Sequence, residues 1–543
     1  MLSVNSSERL LMPKLMNAIK RLFAVAFEAP KKQWDFDLIQ RLHQRLGAGE
    51  HSDMLDDQTW QDLELEAHFR LLDDTVSPLG QQWLYHCLRS CGGSSTADTL
   101  KHCQRLAGDD AFHQRVRQAL YLLRGGTGFH VLSFIHRFHV RAVPPTALLV
   151  VLGIVPLAVL ASLAYTTAAA PWLLLSLAIN FITARLYEGR VEMDMGQLAY
   201  INRMAVAAVR IARDKAVAEH RGLIEDVGLV TTKVRPDWRI RWMTMDKSMS
   251  ADTPNGVLLE YLNSFLLLEL ICYGLFADRI VQKRAEYEAL LMSLAKLDML
   301  QGLVTYVSRY DSLCAPVISG NEMLSVNGIY HPAIDHPVTN SFAMLRQVVV
   351  ITGANMAGKS TFMKCLGLNY VLGRSLGFCH ASEATFPMVR LRSSLSLRDT
   401  IQEGASYFFK EITRLREMID DASRSVPALF LVDEPFKGTN RPERLAALSG
   451  VGHYMAGRAF FMLSTHDTEL CADLDDAQQV QFTSGYGADG ELRYDYRLRP
   501  GVSRDRYALA LMAKLDYPHE ILSHAQARFA TNHDPERVSA PPM

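Results

Sequence analysis

Lys359, Ser360, Asp433, Glu434 and His466 each follow a short apolar run: "VVVI", "ALFLV" and "FFMLST". Such runs predict buried parallel strands, with polar residues emerging at their ends. The first run leads into Gly353-Ala354-Asn355-Met356-Ala357-Gly358-Lys359-Ser360, which fits the phosphate-binding pattern G-x-x-x-x-G-K-[ST] and opens a helix-like stretch. Its two glycines let backbone N–H groups wrap phosphates, and the helix N-terminus adds favourable partial charge. Lys359 is placed to reach the terminal phosphates, and the Ser360 hydroxyl to serve magnesium. Asp433 is the second expected magnesium residue, acting through water, and Glu434 the carboxylate that polarises the attacking water. His466 is expected to hydrogen-bond the terminal phosphate. Adjacent carboxylates after a strand are often a mere loop start, and a lone histidine is weak. Their order behind a phosphate loop makes the chemistry ATP hydrolysis with Mg2+.

Taken together, these residues resemble the MutS family of DNA mismatch-repair ATPases, a branch of the ABC-type ATPases. "TGANMAGKST" is similar to the family loop TGPNMxGKST, which brings Thr361 into the nucleotide site. "EGASYFFKEI" resembles the STFxxE signature through Ser406, Phe408 and Glu411. The resemblance implies that Ser406 reaches the nucleotide of the other subunit, and so a homodimer through the ATPase domain. "DEPFKGTNRPER" and "STHDTEL" resemble two further family segments. Tyr330, His331, Pro332 and Asn340 resemble the segment that lies against adenine. Upstream, Phe69–Leu88 looks like a core-domain motif and Glu288–Asp298 like the base of the lever helices. Three departures stand out: no Phe-x-Glu wedge in the first 55 residues, a short segment where a DNA clamp is expected, and membrane spans where the family's soluble repair proteins have none, together with Pro435 and Lys437 after the catalytic Glu.

These residues need a scaffold, and 543 residues suffice for roughly three or four domains. Expected are an N-terminal helical segment (1–55), a MutS-like helical core (56–141), a transmembrane helical hairpin (142–187), a helical lever region (188–318), an ATPase domain (319–530) and a disordered tail (531–543). The fold class is thus an α/β P-loop ATPase domain of the ABC/MutS type, preceded by an all-α region. The hairpin rests on composition: Ala142 to Ala184 holds no Asp, Glu, Lys, Arg or His. Thr146–Tyr165 is long enough to cross about 30 Å of hydrocarbon, whereas the run from Trp172 to Tyr187 is about a turn short. Arg137, Arg141, Arg185 and Arg190 flank the run, which fits two crossings with both ends in the cytoplasm and an inner-membrane location. A buried soluble hairpin is the competing reading. Gly256–Ile280, with Glu260 and Glu269, is expected to be a buried soluble helix.

Lys plus Arg (57) balances Asp plus Glu (58), so no global field selects nucleic acid. Arg and Trp residues between Thr231 and Lys247 could touch nucleic acid or lipid headgroups, although a solvated loop is the commoner case. The eight scattered cysteines suit reduced thiols rather than a zinc site. Two functions remain open: a MutS-type ATPase dimer that binds DNA, or a membrane ATPase whose cycle moves a membrane or protein partner without DNA.

Overall fold

The computed structural model describes residues 34–47, 55–91, 98–137, 143–237, 261–320, 323–354, 356–396, 407–424, 427–486, 492–503, 509, 512–513 and 515–532. Asn355, Ser406, Glu260 and the Trp238–Lys247 segment therefore lie outside the described residues.

Among the described residues, ten strands form two sheets in the C-terminal half. β1 (Val317–Ser319), β2 (Met323–Ile329), β3 (Asn340–Leu345) and β5 (Glu383–Pro387) make a four-stranded sheet in the order β1-β5-β2-β3. β4 (Val348–Thr352), β6 (Arg390–Ser394), β7 (Ala428–Asp433), β8 (Phe460–Thr465), β9 (Gln478–Tyr486) and β10 (Leu492–Pro500) make the larger one, ordered β10-β9-β4-β8-β7-β6. Apart from β10, its neighbours run parallel. Every residue of β4 and β8 is buried, which is why the sequence runs are continuously apolar instead of alternating. Parallel register places Thr352 opposite Thr465, and Asp433 opposite Ser464. The three polar strand ends therefore open on one edge, where ligands of open α/β sheets bind.

The helix Lys359–Leu376 follows β4 and ends at Gly377, whose φ of 71° supplies the left-handed cap. It is buried on most sides between the two sheets and the helical half.

In that half, the helix Pro78–Ser90 starts with Ser77 as N-cap and a proline in its first turn. It packs on the long helix Arg284–Val307. Asp298 of the long helix is buried, and it accepts from the Val76 and Ser77 amides at 2.9 and 2.7 Å and from Gln301 Nε2 at 2.7 Å. A Cβ on Gly80 would fall 2.5 Å from Asp298 Oδ2, so the close approach requires glycine. The helix Asp57–Asp62 docks this half onto the larger sheet. Asp62 accepts from Ser393 Oγ at 2.7 Å and from the Leu395 amide at 2.9 Å, while Asp56 pairs with Arg414 at 2.8 Å.

Two apolar helices follow one another: Thr146–Ser162, and Ala170–Ala212 after a short turn. The first stops before the expected Tyr165, so at 1.5 Å per residue it covers about 25 Å, a little short of a hydrocarbon core. The second continues past 187 as one helix of 43 residues into the buried helical core, which removes the expected shortfall of a turn. Thr167–Tyr187 is long and apolar enough to cross a membrane and is mostly exposed; Arg284–Val307 passes the same test but is mostly buried. Leu174, Leu186 and Trp172 are 71%, 66% and 64% exposed, whereas Asn180 is buried and donates to the Leu152 and Phe265 carbonyls at 2.8 and 2.7 Å.

The segment expected as a buried soluble helix is buried in part, with Leu270, Tyr273, Phe276 and Ile280 in the core. Residues 261–266 are helical, Leu267 turns at a φ of 55°, and Leu268–Gln282 runs beside both apolar helices. Tyr261, Leu262 and Leu275 are exposed. Its all-round apolar pattern serves contact with the hairpin on one side and an open face on the other. Glu269 is accommodated by Asn263, whose side chain accepts from the Glu269 amide at 2.8 Å and donates to its carboxylate at 3.1 Å.

Candidate functional site

The turn after β4 is shaped by two glycines. Gly353 has a φ of 149°, and a Cβ there would stand 2.6 Å from the Phe482 carbonyl oxygen; Gly358 has a φ of 112°. Ala354 and Ala357 lie in the loop between them, Ala357 buried, and Met356 adopts a φ of 70° with its side chain in solvent. Ser360 and Thr361 fall in the first turn of the following helix.

Lys359 is almost fully buried at the start of that helix. Its ammonium donates to the carbonyls of Gly353 at 2.8 Å and Ala354 at 3.1 Å, and lies 3.6 Å from Glu434 Oε1. Burial lowers its pKa, opposed by the charges of Glu434 and Asp433. Ser360 Oγ donates to Asp433 Oδ2 at 2.6 Å, and the other oxygen of Asp433 accepts from the Ser464 hydroxyl.

Glu434 sits one residue past the end of β7 with a φ of 47°. Its amide donates to the Ser464 carbonyl at 3.2 Å. Its carboxylate meets His466 Nε2 on one oxygen and Lys437 Nζ at 2.7 Å on the other. Burial alone would raise its pKa; hydrogen bonds from His466 and Lys437 outweigh that and bring it to about 2. His466 Nδ1 faces the Gly353 carbonyl at 3.1 Å.

The turn beyond Glu434 also holds Phe436 at a φ of 62°, so two non-glycine residues there are left-handed. Glu411 is buried on the helix Tyr407–Ala422, and the Phe436 ring packs edge-on to Phe408. Phe408 thus packs against the turn that presents Glu434.

The four residues expected against adenine separate. The Tyr330 carbonyl accepts from Asn369, ten positions beyond Lys359 and so about 15 Å along the helix. The Tyr330 hydroxyl donates to the Ser312 carbonyl at 3.1 Å, His331 faces His68, and the Pro332 carbonyl accepts from Tyr310. Asn340 reaches the loop's surroundings indirectly: its side chain donates to the Tyr496 carbonyl at 3.0 Å and accepts from the Leu498 amide at 2.7 Å. Those bonds hold Tyr496 at a φ of 54°, half exposed, with Cδ1 3.4 Å from where a Gly358 Cβ would be. Tyr496 is an aromatic face at the phosphate loop that the sequence reading missed. The alternating aromatics of "LRYDYRLRP" were the only signal, since its position depends on the pairing of β9 with β10.

The geometry agrees with comparisons to known proteins. Residues 349–532 match the family model described as MutS domain V. DNA mismatch repair protein MutS of Natronomonas pharaonis is 29% identical over 43% of this chain and 28% of its own length. Endonuclease MutS2 of Thermus thermophilus is 32% identical over 44% of this chain and 32% of its own. DNA mismatch repair protein MutS of Halalkalibacterium halodurans is 26% identical over 51% and 33%. The chain thus spans about a third of the length of the curated relatives it matches, and the likeness supports the MutS family through the ATPase region.

Proposed function

We propose that this chain is a MutS-family protein that binds and hydrolyses ATP as a dimer, binds DNA, and is anchored in a membrane by residues 142–187. The observation that carries the ATPase reading is the meeting of Lys359, Ser360, Asp433, Glu434 and His466 from three strand ends around one phosphate loop.

The Lys359 ammonium leaves the Gly353 and Ala354 carbonyls for incoming phosphate, joined by loop N–H groups at the helix start. Ser360 Oγ and Asp433 Oδ2 are hard oxygen donors 2.6 Å apart, and no cluster of three or more His, Cys, Asp or Glu forms among the described residues. That suits magnesium, which takes one or two protein oxygens together with phosphates and neutralises their charge. Glu434, ionised at neutral pH, orients water and accepts its proton. His466, between Glu434 and the Gly353 carbonyl, is the group that would sense the terminal phosphate. Glu434→Gln in detergent-solubilised protein tests this: ATP should bind but persist, and normal turnover would remove Glu434 from the role.

The membrane reading is supported by exposed apolar side chains along Thr146–Ser162 and Thr167–Tyr187, such as Leu157, Leu160, Leu174 and Ile182. Asn180 faces inward and bonds helix backbones, as polar residues in membrane bundles do. Both ends of the hairpin belong on the cytoplasmic side of an inner membrane under this reading. The DNA reading rests on the repair proteins named above, and Ser406, outside the described residues, would serve the dimer partner's nucleotide. The same exposed faces favour a second reading, an ATPase that moves a membrane or protein partner without DNA. Crosslinking DNA to the protein in membrane fractions, with and without ATP, separates the two: ATP-dependent recovery of DNA supports the first, and its absence the second.

A further inference from the structure

Cys314 and Cys379 form an isolated antiparallel bridge outside both sheets. The Cys314 amide donates to the Cys379 carbonyl at 3.1 Å and the Cys379 amide returns the bond at 2.9 Å. A pair exchanging both bonds has its Cα atoms about 5.5 Å apart, within the disulfide range. The two sulfurs are 3.5 Å apart, both thiols are free, and neither belongs to the phosphate site.

We propose that Cys314 and Cys379 are a peroxide-responsive pair that closes to a reversible disulfide. Their exposures differ: Cys379 is fully buried and Cys314 half-buried, so Cys314 meets the oxidant and Cys379 resolves. The Cys379 thiol hydrogen-bonded to Cys314 lowers the Cys314 pKa, and that bond with burial raises the Cys379 pKa. The Cys314 thiolate attacks one oxygen of hydrogen peroxide. The S–O bond forms, the O–O bond breaks, and hydroxide leaves to give a sulfenic acid. The Cys379 sulfur then attacks the Cys314 sulfur. The S–S bond forms, the S–O bond breaks, and the departing hydroxide takes the Cys379 proton as water. Two thiols and one peroxide become one disulfide and two waters.

The location gives the bond a consequence. Cys314 lies in the connection from the helix Arg284–Val307 to β1, and Cys379 two residues beyond the cap of the phosphate-loop helix. The disulfide staples the link between the helical half and the four-stranded sheet to the end of that helix. Because the paired backbone is already in place, closure needs only rotation of the side chains.

The test uses the full chain in detergent, treated with hydrogen peroxide, alkylated and digested. The expected product is one crosslinked peptide joining Cys314 to Cys379, lost on dithiothreitol treatment, while Cys365, also buried nearby, stays alkylatable after unfolding. Cys314→Ser should give no crosslink. Cys379→Ser should leave a Cys314 sulfenic acid that dimedone traps; if that variant fails to fold, the wild-type crosslink and Cys314→Ser decide alone. Cys314 driven to sulfinic acid in the wild type with no crosslink, or crosslinked to another cysteine, overturns the proposal. The readout is covalent and independent of nucleotide, so it stands or falls apart from the ATPase assignment.

Discussion

The Lys437 ammonium lies 2.7 Å from Glu434 Oε2, on the oxygen opposite the one that His466 contacts. Lys437, one of the two residues that depart from the family pattern, is therefore a direct electrostatic partner of the candidate general base. Lys437→Ala removes one of the groups holding the Glu434 pKa near 2, so the carboxylate should protonate at higher pH. The acid limb of the ATPase rate profile should move up, by roughly a pH unit or less because Lys437 is half exposed to screening solvent. A profile carried down to about pH 2 whose acid limb does not move would show that the pair has no influence on catalysis.

Glu434→Gln retains shape and loses the proton acceptor. ATP binding should persist, with hydrolysis slower by about 100-fold or more, typical for loss of a general base. Filter binding alongside phosphate release separates this from loss of nucleotide. If both fall together, Glu434 acts in binding instead.

Gly80→Ala would push a methyl into Asp298 at 2.5 Å, where the carboxylate is locked by four donors. Overpacking of this kind costs about 1–3 kcal/mol. Thermal unfolding should begin several degrees earlier, while the variant that does fold keeps its KM for ATP. An unchanged melting curve would mean that the two helices separate readily at this contact.

The apolar hairpin should keep the protein in membranes through high-salt and carbonate washes, since surface charge alone is stripped by them. Release by carbonate would turn the exposed faces into a protein-binding surface.

Ser406→Ala and Lys359→Ala subunits, each inactive alone, should regain ATPase activity when mixed. In the heterodimer the Ser406→Ala subunit's nucleotide is served by the intact serine of the other. Verified heterodimers with no activity would count against a role across the interface, and a Ser406→Ala protein active by itself would reduce the residue to a helix cap.

The sequence by itself determined the phosphate loop and the strands that frame it. Wrapping a phosphate needs glycine, lysine and hydroxyl at a local spacing, and a buried parallel strand must be apolar throughout, as Val348–Thr352 and Phe460–Thr465 are. The uncharged run from Ala142 was legible for the same reason, since composition alone reports which surface avoids water. Tertiary structure decided what depends on distant segments meeting. Asp56 and Arg414, 358 positions apart, join the helical half to the ATPase sheet, and a charge pattern along the chain carries no trace of that pairing. Tyr496 arrives beside Gly358 only through the β9–β10 register and the grip of Asn340, 156 positions away. Gly256–Ile280 reads as a buried helix because its apolar positions recur all round; whether those faces meet protein or an open side is set by the neighbours they pack against, and periodicity does not record the neighbours.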